Sequence, residues 1–243
     1  MRLDIERLGR SYERARRGRE SAVAPERRAR PSLFQYDYLT LSRLSADVRA
    51  LIGELPAGGA GARALDLGCG RSPYSAQLAG RGYRVETLDL TLDDGADFAG
   101  TAERTELPDE TYDAVLCTQV LEHCEDPWQA LLEVRRILKA DGWLIASAPH
   151  VWFYHPHPAD HWRFTQEGIL RLCRHAGLEP VMLLAQGGSV LTVFQVFGFL
   201  LYGVLGRYGA PLYALANIIG SGADRLFPNE LFCHNFACLA RRP

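Results

Sequence analysis

The chain has 243 residues, 47% of them hydrophobic, with a formal net charge of −2. Such a length and apolar share support one large buried core, not a disordered or fibrous chain, and the near-zero charge excludes a general affinity for nucleic acid. Arginine is abundant but lysine occurs once, at Lys139, so the arginines read as compositional bias and not as a count of phosphate binders. The six cysteines, at 69, 117, 124, 173, 233 and 238, include no C-x-x-C pair. They read as small apolar residues in a reducing cytoplasm. The N-terminus lacks an apolar signal core, so the expected location is cytoplasmic.

Residues 1–30 form an arginine-rich arm, expected to be mobile, and residues 31–243 a single domain. From Leu33 to Leu55, apolar residues at Phe34, Tyr38, Leu41, Leu44, Val48, Leu51 and Leu55 keep helical spacing. Tyr36 or Tyr38 would either close over a ligand or sit in the core. Pro56 to Gly61 is a linker. Beyond it strands are expected near 62–67, 84–89, 97–101, 112–118, 143–149 and 179–185, and helices near 73–81, 126–138 and 165–176. This alternation implies right-handed crossovers and a mostly parallel α/β sheet.

The first strand runs into Gly68-Cys69-Gly70, a turn free of Cβ atoms at two positions, then Ser72 as N-cap and Pro73 at the first helical position. Asp89 follows at the end of the second strand, where an acid accepts ribose hydroxyls. A dinucleotide fingerprint would want glycine at position 73. Proline stands there, and Asp66 before the turn would repel a pyrophosphate while welcoming an ammonium group.

Here the sequence resembles the class I methyltransferases that use S-adenosylmethionine, in the small-molecule branch with a Rossmann-like fold. The first motif is Leu65-Asp66-Leu67-Gly68-Cys69-Gly70. Further matches follow in order at Leu107-Pro108 with Tyr112-Asp113-Ala114-Val115, at Leu121-Glu122-His123, and at Arg136-Ile137-Leu138-Lys139-Ala140-Asp141-Gly142. The resemblance implies a seven-stranded sheet with an antiparallel last strand, about 233–241, at its edge. It also implies that Asp66 faces the ammonium end of S-adenosylmethionine, that Gly68, Cys69 and Gly70 run beneath it, and that Asp89 holds the ribose with Leu90 against the adenine. Thr101, with Ala102 and Glu103 beside it, stands where many members carry an acid for the adenine amino group. Gln119 would line the methyl-donor region.

The acceptor side is read from Pro149 to Thr165, a loop with four histidines, an aspartate, an arginine and several aromatics. Its Pro158–Thr165 run resembles the P.DYYRFT element of bacterial methyltransferases linked to polysaccharide, lipid or secondary-metabolite assembly. His157 is the first candidate for general base, oriented by Asp160, because histidine takes up a proton near neutral pH. His155 and His123 are alternatives. Against this stands a structural reading in which Asp160 and Arg163 pair and Thr165 caps the next helix. The His-x-His-x-x-Asp-His pattern is also metal-like. Relatives that methylate quinone precursors carry a metal-linked E..EH pattern, but here Gln119 replaces its first carboxylate, so no metal is expected.

Residues 187–228 are an apolar helical insertion before the last strand, and no charge occurs between Pro180 and Gly206. Thr192, Gln195, Tyr202 and Gly206 leave a narrow polar stripe on its first helix. Its role is either a buried or homodimeric helix pair walling the pocket, or a peripheral membrane contact. A span is disfavoured, because the 16 residues from Val190 to Leu205 reach about 24 Å against a ~30 Å hydrocarbon core. The expected activity is O-methylation of a small-molecule, sugar or lipid-linked acceptor. The rivals are a non-catalytic cofactor-binding scaffold and an NAD-dependent oxidoreductase.

Overall fold

A computed structural model describes residues 25–93, 95–155 and 158–243. Most of the expected arm, residues 1–24, and His157 lie outside the described residues.

The strands are β1 (Arg63–Leu67), β2 (Arg84–Asp89), β3 (Phe98–Ala99), β4 (Tyr112–Thr118), β5 (Leu138–Pro149), β6 (Glu179–Gln186) and β7 (Asn235–Arg241). They form one sheet in the order β3-β2-β1-β4-β5-β7-β6, parallel except for β7. The seven-stranded Rossmann-like sheet with an antiparallel last strand is thus as expected. The position of β7 is not: it lies between β5 and β6, and β6 is the edge. The Phe236–Ala240 run is apolar without alternation and wholly buried, as an interior strand covered on both faces should be.

The side-chain period of two divides the core into two layers. Ala64, Ala114, Leu116, Ile145, Ala237 and Leu239 face α2 (Tyr38–Glu54) and α3 (Ser75–Gly80), packing on Leu44, Val48, Leu51 and Leu55. Their neighbours Leu65, Leu67, Val115, Cys117, Leu144 and Cys238 point the other way, onto α4 (Pro127–Ile137) and α5 (Gln166–His175). Each such leucine or isoleucine contributes about 1.5–3 kcal/mol by leaving water.

Helix starts follow local chemistry. Asp126 accepts from the Trp128 and Gln129 N–H groups, with Pro127 in the first turn, and Thr165 accepts from Gly168 N–H. α1 (Pro25–Ala29) precedes the long helix α2. The insertion is a hairpin: α6 (Ser189–Leu205), a 3-10 turn (Gly206–Gly209) and α7 (Ala210–Leu226).

Two expectations change in detail. β3 is shorter than 97–101 because Thr101 and Arg104 close a tight turn directly after it. β5 begins at Leu138, pairs with Tyr112, and resumes pairing at Trp143 after an irregularity around Asp141, whose φ is 64°.

Candidate active site

The carboxyl ends of β1, β2, β4 and β5 meet where the strand order reverses, the crevice in which open α/β sheets bind ligands. Gly68 and Gly70 adopt φ of 65° and 50°, and a Cβ on Gly68 would lie 2.4 Å from Val120 Cγ2. Only glycine fits there. Gly70, in contrast, has nothing within 4 Å of where a Cβ would stand, which leaves room for a ligand against the backbone.

Ser72 is not the helix cap. It takes φ 47°, and α3 starts later, at Ser75, after Tyr74 and without a side-chain cap. The cradle is therefore made by the backbone of the turn rather than by a helix N-terminus. Ser75 instead serves the buried acid: its hydroxyl donates to Asp66 Oδ2 at 3.2 Å. Burial raises the Asp66 carboxyl to about 7, so a nearby ammonium group would favour its ionised form. Burial likewise pushes the Cys69 thiol up to about 12, which leaves Cys69 a packing residue and no nucleophile.

Asp89 is the centre of the turn. Gly70 N–H donates to its Oδ2 at 2.6 Å and Leu90 N–H to its Oδ1 at 2.7 Å. A carboxylate has about four acceptor positions, so two remain for a pair of vicinal hydroxyls. Leu90 is exposed beside it. Thr101 Oγ1 accepts from Arg104 N–H, Ala102 is buried, and Glu103 accepts from Glu125 N–H. Gln119, at the end of β4, has φ 56° and donates from Nε2 to Ser147 Oγ at 3.2 Å.

The loop after β5 is stitched to the turn after β4. His161 N–H donates to Glu122 O, Trp162 Nε1–H to Cys124 O at 2.9 Å, and His123 Nδ1 pairs with Ala159 O. Arg163 fixes the loop from inside, donating to Phe153 O at 3.0 Å and bidentately to Asp160. Burial alone would raise the Asp160 carboxyl, but Arg163 and the His155 N–H hold it below its usual range. Asp160 is thus taken up by Arg163 and by His155, whose Nδ1 lies 3.2 Å from Oδ2.

His155 Nδ1 is also 2.9 Å from Phe153 O. Both neighbours are acceptors, so Nδ1 carries the proton and Nε2 is the basic atom. The same logic applied to Ala159 O leaves His123 Nε2 basic. Burial lowers both imidazoles below the ordinary 6.5, and the rings meet edge to face at 5.1 Å.

Two buried groups stand apart: Glu122, marked in the sequence only as part of the Leu121-Glu122-His123 match, and His234, which carried no signal. Glu122 is fully buried, and neither carboxylate oxygen has a hydrogen-bond partner among the described residues; His123 Nε2 stands 3.8 Å from Oε1. Ligand atoms of Glu122, His123 and His155 lie within 4.8 Å of one another, a set able to hold a cation. His234, at the start of β7 beneath the loop, is buried with both ring nitrogens unpartnered among the described residues and its pKa driven down to about 3 by burial. A solitary histidine beside an apolar strand resembles a core residue, which is why sequence reading passes over it.

Burial raises Glu122 to about 8. Unfolded carboxyls ionise near 4, so between about pH 4 and 8 the unfolded chain holds fewer protons at Glu122 and Asp66. Below about pH 6.5 the buried His123, His155 and His234, all lowered by burial, act in the opposite sense, because the unfolded chain binds protons there that the folded one does not. Above that range the carboxyls dominate, so Tm of the ligand-free protein should fall from pH 7 to pH 8, and Glu122→Gln should flatten most of that fall.

Residues 65–146 match the methyltransferase-domain family. A ubiquinone biosynthesis O-methyltransferase of Burkholderia cenocepacia is 33% identical over 103 residues, covering 36% of this chain and 44% of that protein. The chain therefore spans less than half the length of that relative. Geranyl diphosphate methyltransferase, solved with GPP and sinefungin, superposes with a TM-score of 0.57 at 16% identity, covering 84% of this chain and 80% of the other. SpnF, a cyclase, gives 0.55 at 20% identity and covers 84% of each chain.

Fold and turn are those of the class I methyltransferases that use S-adenosylmethionine: solved members share the fold, and residues 65–146 match the methyltransferase-domain family. S-adenosylmethionine is the cofactor of that class, and the open space at Gly70 with the two spare positions on Asp89 fits it.

Proposed function

We propose that this protein transfers a methyl group from S-adenosylmethionine to a hydroxyl of a small, sugar or lipid-linked acceptor. When bound, the cofactor supplies an electrophilic methyl carbon on its sulfonium. The chain must hold donor and acceptor in line, exclude water and remove the hydroxyl proton. Asp89 and the Gly68–Gly70 backbone would fix the donor. The Arg163-anchored loop would cover the acceptor, and Nε2 of His155 would take the proton while Asp160 stabilises the resulting imidazolium. The observation that carries this reading is the His155–Asp160 pair, 3.2 Å apart, in the loop beyond the cofactor turn. Similarity to ubiquinone O-methyltransferases supports an oxygen acceptor.

The first test is transfer of label from methyl-labelled S-adenosylmethionine into phenolic, sugar and lipid-extract acceptors. Label in an alkali-stable ether supports the reading. Cofactor binding without consumption by any acceptor favours the scaffold alternative, and NAD binding without cofactor binding favours an oxidoreductase. The alternatives stay in view because one fold serves many reactions.

A second reading rests on Glu122. Two imidazole nitrogens and one carboxylate suit zinc, iron or manganese better than magnesium. An ion there would relieve the two unpartnered oxygens and polarise the acceptor hydroxyl. It would need the set to contract, since tetrahedral ligands at about 2.0–2.1 Å sit about 3.4 Å apart. Manganese or zinc should then raise Tm at pH 7, and Glu122→Gln should remove that rise; no shift with either ion returns Glu122 to a purely structural role.

A further inference from the structure

The insertion hairpin buries several polar residues, alongside Leu191, Tyr213 and Ala216, while many of its large apolar residues face out. On α6, Thr192 and Gln195 are buried, whereas Val193, Phe197, Leu200 and Val204 are 59%, 50%, 59% and 84% exposed. Those four recur at helical spacing on one stripe. On α7 the pattern repeats: Asn217 and Asp224 are buried, while Leu212, Leu215, Ile218 and Ile219 are exposed. A helix pair packed on a sheet in water would be turned the other way round.

The buried polar groups are used. Gln195 Nε2 donates to Tyr36 O at 2.8 Å, and its Oε1 accepts from Thr40 N–H. Asn217 Nδ2 donates to Leu33 O and Gln35 O, Thr192 Oγ1 to Phe232 O, and Arg43 pairs with Asp224. The hairpin is thus anchored through its polar side to residues 33–43. Apart from Arg207 and Tyr208 at the tip and Arg225 in the last turn of α7, its exposed residues carry no such side-chain group to satisfy in an apolar phase.

We propose that the α6–α7 hairpin docks the protein on an anionic lipid bilayer, lying in the interfacial layer. Ser189–Leu226 is long and apolar enough to cross a membrane by length and composition, but Gly206, with φ 52°, breaks it in two. Each 17-residue helix reaches only about 25 Å, short of a ~30 Å hydrocarbon core. Arg207 and Tyr208 sit at the tip, the guanidinium over the ring at 5.0 Å, and Tyr208 is 79% exposed. Such an amphipathic pair suits the headgroup level.

Charge selects lipid over a second copy. Residues 1–30 hold ten arginines against five acids, a net charge of +5. This segment joins the fold next to the hairpin: Ser45 holds the Ala29 carbonyl, and Asn217 holds those of Leu33 and Gln35. Leu33 and Phe34, between them, are exposed as well. The arginine excess of residues 1–30 and the tip Arg207 favour an anionic surface as the occupant over a second, equally charged copy. The inference deepens the proposed function, on which it rests only in placing the methyl acceptor at a bilayer.

The test is co-sedimentation of the full chain with vesicles of phosphatidylcholine, with and without phosphatidylglycerol. Binding is expected on the phosphatidylglycerol vesicles, weakening as salt rises. Leu200→Glu combined with Val204→Glu should lower partitioning at least about tenfold, since two side chains lose apolar burial. S-adenosylhomocysteine affinity of the same preparations should stay unchanged, and reports separately on the methyltransferase reading. Vesicle binding that ignores the two substitutions would assign the contact to the arginine-rich segment and overturn the proposal. So would absence of vesicle binding, whether the protein is then a monomer or a dimer that these substitutions dissociate.

Discussion

Replacing Asp89 with alanine should lower affinity for S-adenosylmethionine and S-adenosylhomocysteine at least about a hundredfold in titration calorimetry. The carboxylate does two things at once. It pins the Gly70 and Leu90 N–H groups, which shapes the turn, and its remaining positions accept ribose hydroxyls in the proposed complex. Hydrogen bonds to a charged partner are worth about 1.5–3 kcal/mol each, so losing two from the ligand accounts for a hundredfold or more. Asp89→Asn separates the two roles. It keeps one acceptor for the Gly70 N–H but loses the charge, and should fall between wild type and alanine. Wild-type affinity in the alanine variant would remove Asp89 from the cofactor site.

With an acceptor in hand, His155→Ala should cut turnover by about 10²–10⁴-fold, the usual contribution of a positioned base, with little change in donor KM. The pH profile adds a readout that a packing role would not move. Burial lowers His155 below 6.5, and its neutral form is the base, so the acid limb of kcat/KM should fall below pH 6.5 in the wild type and vanish in the variant. Asp160→Asn is a poorer probe, because it also breaks the Arg163 pair that holds the loop. Turnover within threefold of wild type in His155→Ala would move proton removal to His123 or His157. Among the described residues, the Asp160 oxygens face Arg163 and His155, while its expected partner His157 lies outside them.

What was legible in the sequence is the part built from short-range rules. Short apolar runs between turn signals placed the six parallel strands, because a strand in a sheet covered on both faces must be apolar along its length. Asp126-Pro127 and Thr165 placed helix starts, because caps act over three residues. The Gly68–Gly70 turn was legible because a chain that leaves a strand at φ 65° and 50° needs glycine, while the ribose contact expected of Asp89 belongs to the proposed function. Ser72 misled for the same reason: a good capping residue before proline looks like a helix start, yet the chain needs φ 47° there to round the turn.

The sequence by itself determined the sheet and the glycine turn at its carboxyl edge, and it carried the resemblance to the methyltransferase class. It also held both periodicities of the insertion, the narrow polar stripe and the apolar remainder. Only the tertiary structure decided which stripe faces in, since that depends on residues 33–43 presenting carbonyls and an arginine from more than 150 positions away. It likewise decided that β7 enters between β5 and β6, that Asp160 answers to Arg163 and His155, and that Glu122 is buried without a partner among the described residues. Each of these is a long-range pairing whose partners share no spacing along the chain, and neither propensity nor periodicity carries information about such contacts.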